Sequence, residues 1–229
     1  MFLKTFTATL LIAGCKAQSD YCTDNSEQKF KECQLGNEIS KEDYYGTNWI
    51  TALRAFNDIE ELTIEVASKA KKNHKRTLSY RKCVWAALSD VDASKTDPDS
   101  ITAFYSRRDI KKISCASGDD SDERDFWNKE HIFTAGRFDK TKNQFPFSDI
   151  HHLVASDLSV NFDRGNLDFR EVPKGEEVAF EKDQCNKLGC KRSTLYFEPG
   201  NGQKGQVARM LFYMALRYTT SIQPILMRD

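Results

Sequence analysis

Residues 126–138 read FWNKEHIFTAGRF and set an acid beside an imidazole, Glu130 and His131, behind an aromatic and an asparagine. From Phe126 the run into NKEHIF predicts a strand, because aromatic and β-branched side chains fit a pleated, half-buried surface. Successive side chains of an extended chain point to opposite faces, so Glu130 and His131 are expected on opposite sides of it. Such a pair suits a divided task, one side chain toward a metal ion and the other toward a nucleophile, where the strand bends or both reach one rim. The competing reading is an ordinary polar step at the end of a buried strand.

A second concentration of polar groups follows at 147–169, FSDIHHLVASDLSVNFDRGNLDF. Asp149, His151, His152, Asp157, Asn161 and Arg164 are interleaved there with apolar residues, and three of the four histidines of the chain fall between 131 and 152. Adjacent histidines cannot readily aim both rings at one point, so one of His151 and His152 is expected to be structural, fixing a turn or a supporting contact. The run SDLSVN predicts a helix start capped by Ser156, with Asn161 inside the helix. Taken alone, Asn161 reads as a hydrogen-bonding residue rather than an ion ligand.

The 229 residues, 39% hydrophobic and 30% charged with 11 Gly and 5 Pro, describe a folded chain that fits one domain better than two. Lys plus Arg equals Asp plus Glu at 34 each, so a nucleic-acid partner would have to be held by a local basic surface, without steering from the net charge. The first twenty residues, MFLKTFTATLLIAGCKAQSD, read as a secretory leader too short to span a bilayer. Within it LLIAGC resembles a bacterial lipobox, in which Cys15 is lipidated and anchors the mature chain to a membrane; the alternative is a plain signal peptide cut after Ala17. Residues 1–21 are thus read as leader and tether and 22–229 as the domain, with an extracytoplasmic location on either reading: secreted, periplasmic or membrane-anchored. Cys22, Cys33, Cys83, Cys115, Cys185 and Cys190 remain, an even number that suits up to three disulfides in an oxidising compartment. CNKLGC points to a local staple between Cys185 and Cys190, and no two cysteines show the spacing of a zinc knuckle.

Elsewhere the pattern is that of elements around a core. TNWITALRAFNDIEELTIEVASKAKKNHKR (47–76) predicts an amphipathic helix started by Thr47 or Asn48, whose basic end is either a solvated terminus or part of a phosphate-tracking surface. SYRKCVWAALSDV predicts a short helix around Val84 and Leu88, DASKTDPDS a turn-rich loop, ITAFYS a strand, and CASGDDSDERD an exposed acidic loop. In GQVARMLFYMALRY, Val207, Leu211, Met214 and Tyr218 recur at helical spacing as core, and EPGNGQKG before it reads as a loop.

The order of these motifs, WNKEHIF, then DIHHLVASDLSVNFDRGN, then FEPGNGQKGQVARMLFYMALRY, resembles the bacterial endonuclease I family of secreted or periplasmic nucleases. The match runs over about residues 78 to 218. The resemblance implies an α+β fold, a mainly helical single domain built around a small ββα-metal (His-Me finger) motif. It implies further that His131 is the general base that activates water and that Glu130 and Asn161 hold one divalent ion. Two oxygen donors plus waters suit Mg²⁺, with Mn²⁺ or Ca²⁺ as alternatives, whereas zinc prefers nitrogen or sulfur. The family also uses an arginine on the cleaved phosphate; Arg137 is the only arginine between His131 and Asn161, and Arg164 matches a family position, with a salt bridge as its competing role. A proline that follows the histidine in the family is missing from EHIFTAGRF. The implied activity is hydrolysis of internal phosphodiester bonds in DNA, and in RNA if the sugar is not discriminated, with little base preference and 5′-phosphate ends, by a monomer. The alternatives are a lipid-anchored, catalytically silent binding protein on the same fold, and a zinc hydrolase using His131 with His151 or His152, which lacks the helical His spacing such sites use.

Overall fold

The computed structural model describes residues 46–74, 76–116, 125–137, 144–180 and 185–218, with isolated positions at 33, 40, 42 and 43. The leader with Cys15, together with Cys22 and most of the acidic segment (117–124), lies outside the described residues. Over the described residues the protein is a mixed α+β structure.

The segment expected to form one helix forms two, α1 (Trp49–Arg54) and α2 (Ile59–Asn73). Asp58 makes the break: its backbone is extended, and its carboxylate accepts the N–H groups of Glu60 and Glu61 at 2.6 and 3.0 Å, capping a new helix. Asn48, one of the expected caps, instead precedes α1 in a left-handed conformation (φ 58°) without a side-chain capping bond. Glu60 and Glu61 in the first turn of α2 and Lys71 and Lys72 in its last complement the helix dipole.

Helix α3 (Cys83–Val91) forms where expected and buries Val84, Trp85, Ala87 and Leu88. Of ITAFYS only the start is strand: β1 (Ser100–Thr102) pairs antiparallel with β2 (Asp109–Lys111), and the chain turns through Phe104 and Tyr105. Strand β3 (Trp127–His131) is followed by a single turn, α4 (Gln144–Phe147), and then by β4 (Leu153–Asp157), which pairs antiparallel with β3 so that Trp127 faces Asp157 and His131 faces Leu153. Helix α5 (Leu158–Arg164) follows at once and packs on both strands. Strands β5 (Asp168–Phe169), β6 (Lys191–Arg192) and β7 (Tyr196–Glu198) form a small mixed sheet with β7 in the middle, and α6 (Asn201–Arg217) ends the described chain. Because α6 begins at Asn201, NGQKG is its first turn rather than the expected loop. Cys185 and Cys190 are joined as expected, Cys33 is bonded to Cys83, and Cys115 is disulfide-bonded as well.

The β3–β4 ladder carries core on both faces. Trp127, Leu153 and Ala155 pack with Trp85 and Leu88 of α3 and with Ile101 and Ile110 of the β1–β2 pair. Ile132 and Val154 pack on the other side with Tyr105, Phe197 and Val207. All five residues of β4 are therefore buried, which moves the start of α5 past the position expected from SDLSVN. Ser156 is strand, and the cap position falls to Asp157, whose buried carboxylate accepts the Ser106 hydroxyl and lies 3.5 Å from Arg108 instead of capping the helix.

Asp58→Ala is expected to destabilise the protein by about 1 kcal/mol, the usual worth of an N-cap. Urea denaturation should show that loss, with a much smaller one for Asn48→Ala.

Candidate functional site

Glu130 and His131 end β3 and leave it on opposite faces, as the pleat requires, and both are buried. The Glu130 carboxylate meets two partners at one oxygen: Oε1 accepts the Tyr105 hydroxyl at 2.8 Å and lies 3.4 Å from Nη1 of Arg164. Burial raises the Glu130 pKa, while Arg164 and the Tyr105 hydroxyl favour the anion and oppose that rise. Oε2 takes part in neither contact.

Asn128, two residues back, shares the face of β3 that carries Glu130. Asn161, in the middle of α5, lies over that face: its Nδ2 donates to Oδ1 of Asn128 at 2.6 Å and to the Lys129 carbonyl at 3.4 Å. With its nitrogen directed at the strand, the Asn161 amide has its oxygen available as a donor to a cation. The helix expected around Asn161 is present, and it brings Asn161 to the strand of Glu130 across 31 residues of sequence.

The His131 ring occupies an aromatic niche between Tyr80 and Phe147, with centroids 5.3 and 4.7 Å away. Nε2 donates to the Phe147 carbonyl at 2.8 Å, which makes Nδ1 the lone-pair nitrogen of the neutral ring. Burial, followed by the neighbouring His152, holds the His131 pKa well below the ordinary 6.5, so the ring is neutral at neutral pH. Lys129 lies on the same face of β3, its ammonium over the rings of Tyr80 and Trp85 at 3.8 and 4.1 Å and donating to the Tyr80 carbonyl; burial brings its pKa down to about 7.

Arg164 and Arg137 sit in different surroundings. Arg164 is 2% exposed, and its guanidinium donates to the carbonyls of His131 and Ile132 and to the Thr134 hydroxyl, each at 2.9 Å, above the Phe169 ring. Arg137, in a short 3₁₀ turn, is one-third exposed and pairs with Asp168. The adjacent histidines divide as expected: His152 is fully buried and donates Nε2–H to the Pro146 carbonyl, whereas His151 is exposed. Among the described residues no three His, Cys, Asp or Glu side chains converge as a metal cluster. Tyr105, Asn128 and Phe147 were not singled out from sequence. Asn128 stands inside the WNKEH motif, but nothing in the spacing of Tyr105, 25 residues upstream of Glu130, marks it.

Arg164→Met should cost about 3–5 kcal/mol, because it leaves Glu130 and two carbonyls buried without their partner; thermal or urea unfolding measures this. Burial also lowers the His152 pKa to about 4, so as pH falls the unfolded chain takes up the proton first. The stability tied to His152 is complete above pH 6.5 and declines as pH falls toward 4, by about 1.4 kcal/mol per pH unit at most. Urea midpoints recorded across that window should fall, and His152→Gln should flatten the slope.

Comparison with known proteins now bears on this arrangement. Curated relatives include the extracellular ribonucleases of Bacillus subtilis (strain 168) and Bacillus amyloliquefaciens, 34% and 35% identical over 145 residues. Each alignment covers 62% of this chain and 44% of the relative, so the chain spans less than half the length of these proteins. No solved structure matches significantly. A sequence model of the Endonuclease I family matches residues 59–228, from the first residue of α2 past the end of α6 and including every site residue described above, and the chain therefore belongs to the endonuclease I family.

Proposed function

We propose that this protein is an extracytoplasmic, divalent-metal-dependent endonuclease that hydrolyses phosphodiester bonds in DNA and RNA with little base preference, leaving 5′-phosphate ends. Family membership and the extracellular ribonucleases among its relatives support the substrate class, and the disulfides support the location. The observation that carries the reading is the bond of Asn161 to Asn128, which brings α5 onto the strand face that also carries Glu130, in a two-strand, one-helix unit of the kind a ββα-metal site uses.

The donor set fits a hard cation. Glu130 and Asn161 offer oxygen only, and two protein ligands leave positions for water and phosphate, the habit of Mg²⁺. Such an ion, when bound, stabilises the charge that develops on the phosphate and its leaving oxygen. His131 takes a proton from the attacking water at Nδ1, the nitrogen left with a lone pair because Nε2–H is committed to Phe147. As the last residue of β3 it stands where the ladder ends, so ligand and base, on opposite faces, serve one phosphate at the rim. Arg164 acts by holding the ends of β3 and α5 together, while Arg137, which reaches solvent, is the arginine suited to contact the cleaved phosphate. Cys15, if lipidated, tethers the enzyme to a membrane; a monomer suffices for the chemistry.

Incubated with supercoiled plasmid and with RNA, the purified protein should cleave in Mg²⁺ and stop in EDTA. His131→Ala should lower the rate by about 10²-fold or more while leaving the fold intact by circular dichroism. Cleavage that persists undiminished in EDTA, or in His131→Ala, would sink the mechanism.

A further inference from the structure

Helix α5 is buried over most of its length. Leu158, Ser159, Val160, Asp163 and Arg164 are each 4% exposed or less, Asn161 is half-buried, and Phe162 is 44% exposed. Of the seven residues only Asn161 and Phe162 therefore present appreciable surface to water. Neighbouring helix positions stand about 100° apart around the axis, so these two side chains border one opening in the packing that surrounds α5.

The Phe162 ring joins none of the apolar clusters among the described residues. Single exposed apolar side chains are common on protein surfaces, and Phe145 and Phe212 are the other exposed phenylalanines among the described residues. Phe145 meets the His74 ring in a T-shaped contact, centroids 5.5 Å apart, and Phe212 lies on α6. Phe162 differs from both in its place, directly after a proposed ligand of the ion.

The turn that carries Arg137 packs against the chain just beyond α5. Gly136 approaches the Asn166 side chain so closely that a Cβ there would stand 2.9 Å from its Oδ1, and the Arg137 guanidinium pairs with Asp168. The cation suited to the cleaved phosphate, the amide suited to the ion and the exposed aromatic ring thus come from two segments in contact, 135–137 and 158–168.

We propose, resting on the nuclease reading above, that Phe162 is a stacking platform for an unpaired nucleobase beside the scissile phosphate. A base is joined to its phosphate through one sugar, and consecutive Cα atoms stand about 3.8 Å apart, so a phosphate bound at Asn161 brings an adjoining base to the next side chain. The ring meets any base through its π face, which adds binding without sequence preference. It engages only a base released from its neighbours in the strand, so the favoured substrate is single-stranded or locally opened nucleic acid. Arg137 supplies the charge and Phe162 the apolar contact, the combination by which single strands are bound.

The test uses the full-length protein and an end-labelled single strand, of the sugar type it cleaves, in which one nucleotide lacks its base. Wild-type protein should cut the linkage that sets this gap against Phe162 about 10-fold less than the same linkage in the intact strand, within the range of one base–aromatic stack. Phe162→Ala should cut the intact strand more slowly by a similar factor and show no dip at the gap, whereas Phe162→Trp should keep the dip. Because the dip is a ratio between linkages of one strand, partial unfolding neither produces nor removes it. In EDTA, where the strand stays whole, Phe162→Ala should weaken its binding about 10-fold with an unchanged salt dependence, since no phosphate contact is lost. A dip absent from wild type, or persisting in Phe162→Ala, overturns the stacking role and leaves the nuclease reading standing; if Phe162→Ala keeps the dip and also sediments differently from wild type, the ring belongs to a contact with a second copy. Wild-type protein that cuts no linkage in Mg²⁺ overturns both readings.

Discussion

A guanidinium taken out of water must find acceptors for its donors inside the protein, and Arg164 finds them where β3 ends and α5 ends. Its contacts with the carbonyls of His131 and Ile132, the Thr134 hydroxyl and the Glu130 carboxylate bind the last turn of the helix to the residues that close the strand. Asn161 lies three residues earlier on the same short helix, so the clamp also fixes Asn161 over Asn128. The spacing between the proposed ligands is thereby set by a residue that need not meet substrate. Its partner Glu130 has its pKa raised by burial, a rise that Arg164 and the Tyr105 hydroxyl oppose without cancelling.

Everything else serves to keep that joint dry and in place. The β3–β4 ladder has no solvent-facing side: α3 and the β1–β2 pair cover one face, and α6 with the small mixed sheet covers the other. A two-stranded ladder is not stable alone in water, and two apolar covers supply the burial it lacks. Asp149 joins α2 to α6 through His74, Tyr213 and Tyr218 and also accepts from the exposed His151 ring. Fold and site thus share a polar group: Arg164 is a structural tie that also holds Glu130 and the helix of Asn161 in place.

Much of this was legible in the chain. The strand at 127–131, α3, the core face of α6, the staple at Cys185 and Cys190 and the helix around Asn161 were expected from pattern, because each is governed by neighbours within about two turns or one strand length. The misreadings share a cause. Asn48 and Ser156 are both acceptable caps by type, yet Asp58 starts α2, and burial holds Ser156 in β4. ITAFYS has strand character throughout, but the chain turns at Phe104 and Tyr105 so that Tyr105 can enter the second core and reach Glu130.

The sequence by itself determined which residue types stand in which order, and hence the family and the placing of a carboxylate beside an imidazole on one strand, since both depend on local spacing alone. Only the tertiary structure decided that Arg164 is committed to the interior while Arg137 reaches solvent, and that His152 is the buried member of its pair while His151 is the exposed one. The reason is physical: whether a polar side chain is a tie or a tool depends on how many of its hydrogen bonds the fold satisfies internally, and those partners come from elements far apart in the chain.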